Sequence, residues 1–172
     1  MTHEPSARPA IVIEEGLRDD AHGAVVAMHG AYYARAWRFD AFFEQKVAAE
    51  LAEFIARYDR IHDRMFLAVE GERIVGSLIV DGGEPDAAAN GVHLRWFIID
   101  DAYRSHGIGK MLIGAAMEFV AAAGFARCYL TTFAGLDTAR SLYERAGFKL
   151  VREARSETWG TPVAEQVFVW TR

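Results

Sequence analysis

Disulfide bonding is missing from this sequence, because its one cysteine, Cys128, has no internal partner. That fits a reducing compartment, and a cytoplasmic location is expected. No run approaches the ~18 apolar residues that a membrane-spanning helix needs, so no membrane partner is expected. The opening residues 1–10 contain Arg8, Pro5, Pro9 and His3 without an apolar core, which does not suit a signal peptide. They read as a flexible arm ahead of a single domain over residues 11–172. An excess of positive charge is also lacking. The formal net charge is -5, whereas nucleic acid binding needs a basic footprint, so nucleic acid is not expected as a partner. The histidines are scattered, with no His-x-x-x-His pair and no cysteine cluster, and no metal site is expected. There is no internal repeat and no low-complexity tract.

What remains is an ordinary globular mixture. The chain has 172 residues, 52% of them apolar and 25% charged. That length suits one domain able to bury roughly two-thirds of the surface its unfolded form exposes. Residues 11–15 are expected to form a strand, followed by a helix over about 20–35. Asp40 is a good N-cap for a second helix carrying Phe42, Phe43, Val47, Leu51, Phe54, Ile55 and Tyr58 as one apolar stripe. Strands follow over 65–70 and 73–80, joined at Gly71-Glu72. Residues 81–91 read as loop, and 92–99 as strand. A helix is expected over about 107–123, its inward face Ile108, Met111, Leu112, Ala115 and Phe119, with Gly124 as its stop. A strand over 127–132, a helix over 136–146 and strands near 148–152 and 164–171 complete the chain. The order β-αα-βββ-α-β-α-ββ implies an α/β (α+β) domain with a mixed sheet covered by helices.

The stretch Leu94-Arg-Trp-Phe-Ile-Ile-Asp-Asp-Ala-Tyr-Arg-Ser-His-Gly-Ile-Gly-Lys-Met-Leu112 carries the chemistry. An apolar strand ends at Asp100-Asp101, and Arg104-Ser105-His106-Gly107-Ile108-Gly109 then opens a helix. The first helical turn has N–H groups without internal acceptors, and the helix dipole adds positive potential, so this corner suits a pyrophosphate. Gly107 and Gly109 would let phosphate oxygens approach the backbone. A plain turn between strand and helix would also use glycine. Lys110 lacks the upstream glycine and the following Ser or Thr of a P-loop. Leu112 stands where a Rossmann fingerprint needs its third glycine.

The run Arg104-Ser-His-Gly-Ile-Gly109 resembles the Arg/Gln-x-x-Gly-x-Gly/Ala signature of GNAT acetyltransferases. Downstream, Ala139-Arg-Ser-Leu-Tyr143-Glu-Arg-Ala-Gly147-Phe148 resembles that family's next helix, with its aliphatic-Tyr-x-x-x-Gly-Phe ending. The element order is similar from about residue 11 onward. The resemblance implies a GNAT fold, with a mixed and mostly antiparallel sheet flanked by helices. It also implies acetyl-CoA as acetyl donor and an amine acceptor, either a small molecule or a peptide or protein amine. Backbone groups of Phe97, Ile98 and Ile99 would pair with the pantetheine arm. The amides of Arg104, Ser105, His106, Gly107, Ile108, Gly109 and Lys110 would cradle the diphosphate. Tyr143 would act as general acid toward the leaving thiolate, after direct attack in a ternary complex. Its bland alternative is a core tyrosine with a satisfied hydroxyl.

Many relatives place an asparagine near the end of the strand after the phosphate helix. Here that stretch reads Thr131-Thr132-Phe133-Ala134-Gly135, and Thr132 or a water would take its part. His93 and Arg95 share one strand face, where His93 is a candidate base, with a surface or ion-paired role as the alternative. No glutamate stands on that strand, although glutamates there often serve the family as base. Tyr32, Tyr33, Trp37, Arg95 and Trp159 are candidate acceptor-site residues, and simple packing of the aromatics is the alternative. This aromatic set, with Trp159-Gly160, resembles the branch often fused behind a MarR-type regulator, although no regulator-like segment is present. The resemblance further implies a homodimer. A non-catalytic acyl-CoA sensor is the alternative function.

Overall fold

A computed structural model describes residues 9–172; the expected arm falls almost wholly outside them. The elements follow the expected order: β1 (Ile11–Glu15), α1 (Ala21–Trp37), α2 (Ala41–Ala56), β2 (Arg64–Glu70), β3 (Arg73–Asp81), a single-turn α3 (Ala87–Asn90) and β4 (Val92–Ile99). After a 3-10 turn at Asp101–Tyr103 come α4 (Ile108–Ala122), β5 (Arg127–Phe133), α5 (Asp137–Arg145), β6 (Lys149–Ser156) and β7 (Val163–Thr171). The helical turns at 87–90 and 101–103 were not expected. Each is too short for apolar periodicity to reveal.

The seven strands form one sheet in the order β1-β2-β3-β4-β5-β7-β6. Every neighbouring pair is antiparallel except β4 with β5. Both faces are covered, which is why β2 and β3 read as nearly continuous apolar runs. On one face, α4 packs Ile108, Leu112, Ala116 and Val120 onto Phe66, Val75, Leu78 and Phe168. On the other, α1 and α2 press Val25, Phe43, Val47, Leu51 and Phe54 onto Met65, Leu67, Ile79 and Trp96.

The α2 expectation holds in its main features. The Asp40 carboxylate accepts from the Phe42 amide at 3.0 Å, satisfying one orphan donor of the first turn. Phe42 itself lies off the buried stripe, at 51% exposure. On α4 the inward face differs from the expected one. Ile113, Ala116 and Val120 are buried, and Met111 is 41% exposed. The helix is apolar nearly all round, so periodicity leaves its orientation open. Its charged residues, Lys110 and Glu118, mark the outward face. The edge strand β6 is exposed along most of its length and carries Lys149, Arg152, Glu153 and Arg155, charges that discourage edge-to-edge pairing. Among the described residues no helix is long and apolar enough to cross a membrane.

Phe54 is fully buried between α2 and the sheet, with its ring 5.6 Å from Trp96. Phe54→Ala is expected to cost about 3–5 kcal/mol of unfolding free energy. Urea denaturation checks this; a loss below 1 kcal/mol on the order of a surface change would contradict the packing described.

Candidate active site

The site begins with a separation of strands. β4 and β5 pair only at Val92–Cys128 and His93–Tyr129, and beyond these rungs β4 has no β5 partner. The cause lies in β4. Its register with β3 shifts between Ser77 and Ile79, and Trp96 adopts φ 49°. A bulky L-residue in that region costs roughly 1–3 kcal/mol and persists only where its surroundings hold it. Here the Ser77 hydroxyl donates to the Trp96 carbonyl at 2.7 Å. The indole is buried against Phe54, and the Arg95 guanidinium lies 4.0 Å from its ring centroid. The kink leaves a cleft of about 390 Å³ between β4, β5, α1, α2 and α5.

At one end of the cleft stand Phe97, Ile98, Ile99 and Arg104, all on its wall. The Asp100 carboxylate caps the 3-10 turn through the Ala102 amide at 3.0 Å. Arg104 donates to Asp101 at 2.7 Å, and its guanidinium lies 4.4 Å from the Tyr32 ring centroid. Ser105 and Gly107 both take left-handed backbone angles, φ 67° and 76°. Gly107 caps α4, and nothing lies within 4 Å of where its Cβ would project. This opening beside the first-turn amides can receive an anion. Gly109 has a different reason to be glycine. A Cβ there would fall 2.8 Å from Leu142 and 3.3 Å from Phe97 and Ile99, so its missing side chain lets α4 pack closely. Lys110 and His106 do not line the cleft. Both are exposed, and His106 Nδ1 donates to the Arg104 carbonyl at 2.8 Å.

Tyr143 reaches the cleft wall from α5. Only 6% of it is exposed, and its ring packs among Phe97, Phe148 and Phe168. Burial first, and Tyr33 second, push its ionisation well above the usual tyrosine range, so it stays a phenol. Its hydroxyl makes no hydrogen bond among the described residues, unlike a satisfied core tyrosine. Cys128 lies in the sheet core, where burial pushes its thiol up to about 12. It is therefore no nucleophile at neutral pH.

At the other end, His93 and Arg95 both line the cleft; Arg95 is ion-paired and His93 is hydrogen-bonded to a carboxylate. The Arg95 guanidinium donates to Asp81 and Glu84 at 3.1 Å each and to Glu50 at 2.9 Å. His93 Nδ1 meets Glu84 at 2.9 Å, and its ring stacks on Tyr129 at 4.3 Å. The Tyr129 hydroxyl donates to the other Glu84 oxygen at 2.5 Å. Burial pushes the Glu84 carboxyl up, yet His93, Tyr129 and Arg95 outweigh it and hold it down at about 2. An ionised Glu84 only accepts hydrogen bonds, so Nδ1 of His93 must carry a proton.

Tyr32, Tyr33, Thr132 and Trp159 also line the cleft. Trp37 does not; it packs on Phe133 and over Gly135. The sequence reading missed Lys46, Glu50, Phe133 and Glu165 on the same wall. The helical spacing of Phe43, Val47 and Glu50 could have flagged Glu50, which sits on the buried stripe of α2.

The acetyltransferase (GNAT) family model matches residues 31–148. Two curated relatives share part of the sequence. N-acetylaspartate synthetase of Xenopus tropicalis is 36% identical over 86 residues, covering 50% of this chain and 31% of its own. The uncharacterized N-acetyltransferase YjgM of Escherichia coli is 37% identical over 90 residues, covering 51% of this chain and 52% of its own. The chain thus spans about half or less of those relatives. Among solved structures, a Streptococcus agalactiae acetyltransferase superposes with TM-score 0.70 at 20% identity, over 94% of this chain and 98% of that one. A ribosomal-protein-alanine N-acetyltransferase of Brucella melitensis does so with TM-score 0.74 at 14% identity, over 94% and 99%. At these identities the likeness concerns the fold alone.

The Glu84 carboxyl is held below its unfolded value, so its contribution to stability is complete above about pH 4.5 and fades as pH falls toward 2. Glu84→Gln is expected to destabilise the fold by roughly 2–3 kcal/mol at pH 7. The gap to the parent should shrink steadily between pH 5 and 2, to be read by urea unfolding across that range. A gap that stays constant with pH would show that the carboxylate is not the source.

Proposed function

This chain belongs to the GNAT acetyltransferase family, and from that premise we propose that it is an acetyl-CoA-dependent N-acetyltransferase acting on a small-molecule or peptide amine. The observation that carries the reading is the unpaired flank of β4, Phe97 to Ile99, which lines one cleft with Arg104 at one end and the phenol of Tyr143 further along, and which leads toward the open corner at Gly107. The fit to coenzyme A rests on two features: open space where a Gly107 side chain would stand, and strand edge that β5 leaves unpaired. Backbone groups of Phe97, Ile98 and Ile99 would hold the pantetheine arm, with Thr132 across the cleft. The amides of residues 105–110 would hold the diphosphate, with the Arg104 side chain at the rim; the Arg104 amide itself donates to the Asp101 carbonyl that closes the 3-10 turn. Acetyl-CoA would supply the acetyl thioester.

The chain's own residues then have two tasks. Tyr143 keeps its proton at Oη until the departing sulfur takes it; a buried phenol with no competing hydrogen bond suits that role. His93 removes a proton from the acceptor amine. With Nδ1 fixed as the donor to Glu84, Nε2 is the nitrogen left to accept that proton in the neutral ring. The Glu84 contact thus sets the tautomer, and the missing strand glutamate is replaced by an imidazole oriented from a neighbouring loop.

Tyr143→Phe is expected to lower kcat by roughly 100-fold or more while acetyl-CoA affinity stays within about twofold. Free-thiol release and calorimetry read the two quantities, and an unchanged kcat would remove Tyr143 as the acid. Arg104→Glu is expected to weaken acetyl-CoA binding about tenfold by placing negative charge beside the diphosphate. Acetyl-CoA binding without thiol release across polyamines, amino acids, arylalkylamines and peptides would leave a binding module in place of an enzyme.

A further inference from the structure

We propose that Glu165 and the rings around it form a seat for an ammonium group, so that the acceptor is a cationic amine attached to an apolar body. The inference rests on the transferase reading for the word acceptor, but its evidence is the charge balance of the cleft wall. Every fully charged cation on that wall is already engaged. Arg95 is held by Asp81, Glu84 and Glu50, Lys46 by Glu50, and Arg104 by Asp101. Of the two cleft-lining carboxylates, Glu50 is neutralised by Lys46 and Arg95. Glu165 forms no ion pair among the described residues. Its one hydrogen bond comes from the neutral Trp159 indole, whose Nε1 donates to Oε2 at 3.2 Å. An anionic acceptor would have to displace a carboxylate already in place, whereas a cation finds a vacant partner.

The surroundings define what the cation carries. Glu165 on β7 is the cross-strand partner of Phe133 on β5, so the two side chains share a sheet face. Trp159 lies 5.7 Å from Phe133 and 5.8 Å from Phe43, centroid to centroid. Aromatic faces attract ammonium groups and bury apolar carbon. Trp159 already has the Lys46 ammonium 5.3 Å from its ring centroid, so a cation is accommodated beside this indole. A carboxylate beside these rings, with no counter-ion among the described residues, suits a ligand that joins an ammonium group to apolar carbon.

The test compares phenethylamine with 2-phenylethanol, its neutral isostere, by calorimetric titration of the whole protein saturated with coenzyme A. The parent is expected to bind the amine at least tenfold more tightly than the alcohol. Glu165→Gln is expected to weaken amine binding about tenfold and leave alcohol binding within twofold, the latter also showing that the cleft is intact. Equal affinity of the parent for amine and alcohol would overturn the proposal without reference to any variant. So would a Glu165→Gln protein that retains the amine preference or loses both ligands alike. Thiol release from acetyl-CoA, measured in parallel, separates the two readings. Turnover without a Glu165-dependent amine preference removes the seat and keeps the transferase. The preference without turnover of any amine does the reverse.

Discussion

The hydrogen bond from Ser77 to the Trp96 carbonyl is the constraint on which the rest depends. It fixes a kink in the middle of β4 that a bulky residue would not adopt unaided, and the buried indole packs against Phe54 and Arg95. Because the kink turns β4 away from β5 after two rungs, the sheet contains a wedge-shaped opening at its centre. The helices of both faces can then contribute side chains to one space. Tyr143 comes from α5, Tyr33 and Glu50 from α1 and α2, and Arg104 from the turn before α4. Without the kink the same elements would cover a closed sheet.

Where the two strands do remain paired, a polar knot holds them. Glu84, from the loop after β3, touches His93 on β4 and Tyr129 on β5, and Arg95 ties Glu84 to Asp81 and Glu50. Asp81 is fully buried and also receives two nitrogens of Arg57, at 2.8 and 2.6 Å. A buried carboxylate of this kind is tolerable because several donors share it. The two ends of the cleft thus differ in kind. One presents unpaired strand edge and the Arg104 side chain, and the other presents charged side chains that are paired in all but one case.

Much of this was legible in the sequence, for identifiable reasons. Element order emerged because the breakers are unambiguous: Asp40 caps α2, Gly124 and Gly147 end their helices, and Gly71 turns the first hairpin. The amide corner was readable because its glycines are local in sequence. The packing reason for Gly109 was hidden, since Leu142 comes from a helix more than thirty residues away. The orientation of α4 was hidden by a helix apolar on most sides. Trp37 belonged with the aromatics by composition, and only the backbone shows that it turns toward Gly135. Glu84 was invisible for the opposite reason. It lies in a loop that carries no period, and its role exists only once β4 and β5 stand beside it.

The backbone at Gly107 has a consequence for how such a protein can change over generations. A corner whose binding groups belong to the main chain asks little of the side-chain alphabet beyond left-handed backbone angles at Ser105 and Gly107 and the missing side chain of Gly109. The letters at His106 and Lys110 are thus free to drift without altering the amides beneath them. The wall bearing Glu50, Glu165 and the indoles has no such latitude, since each exchange there rewrites the charge or shape on offer. Divergence within one architecture is therefore expected to concentrate on the acceptor side, and new specificities to arise there while the donor corner stays as it is.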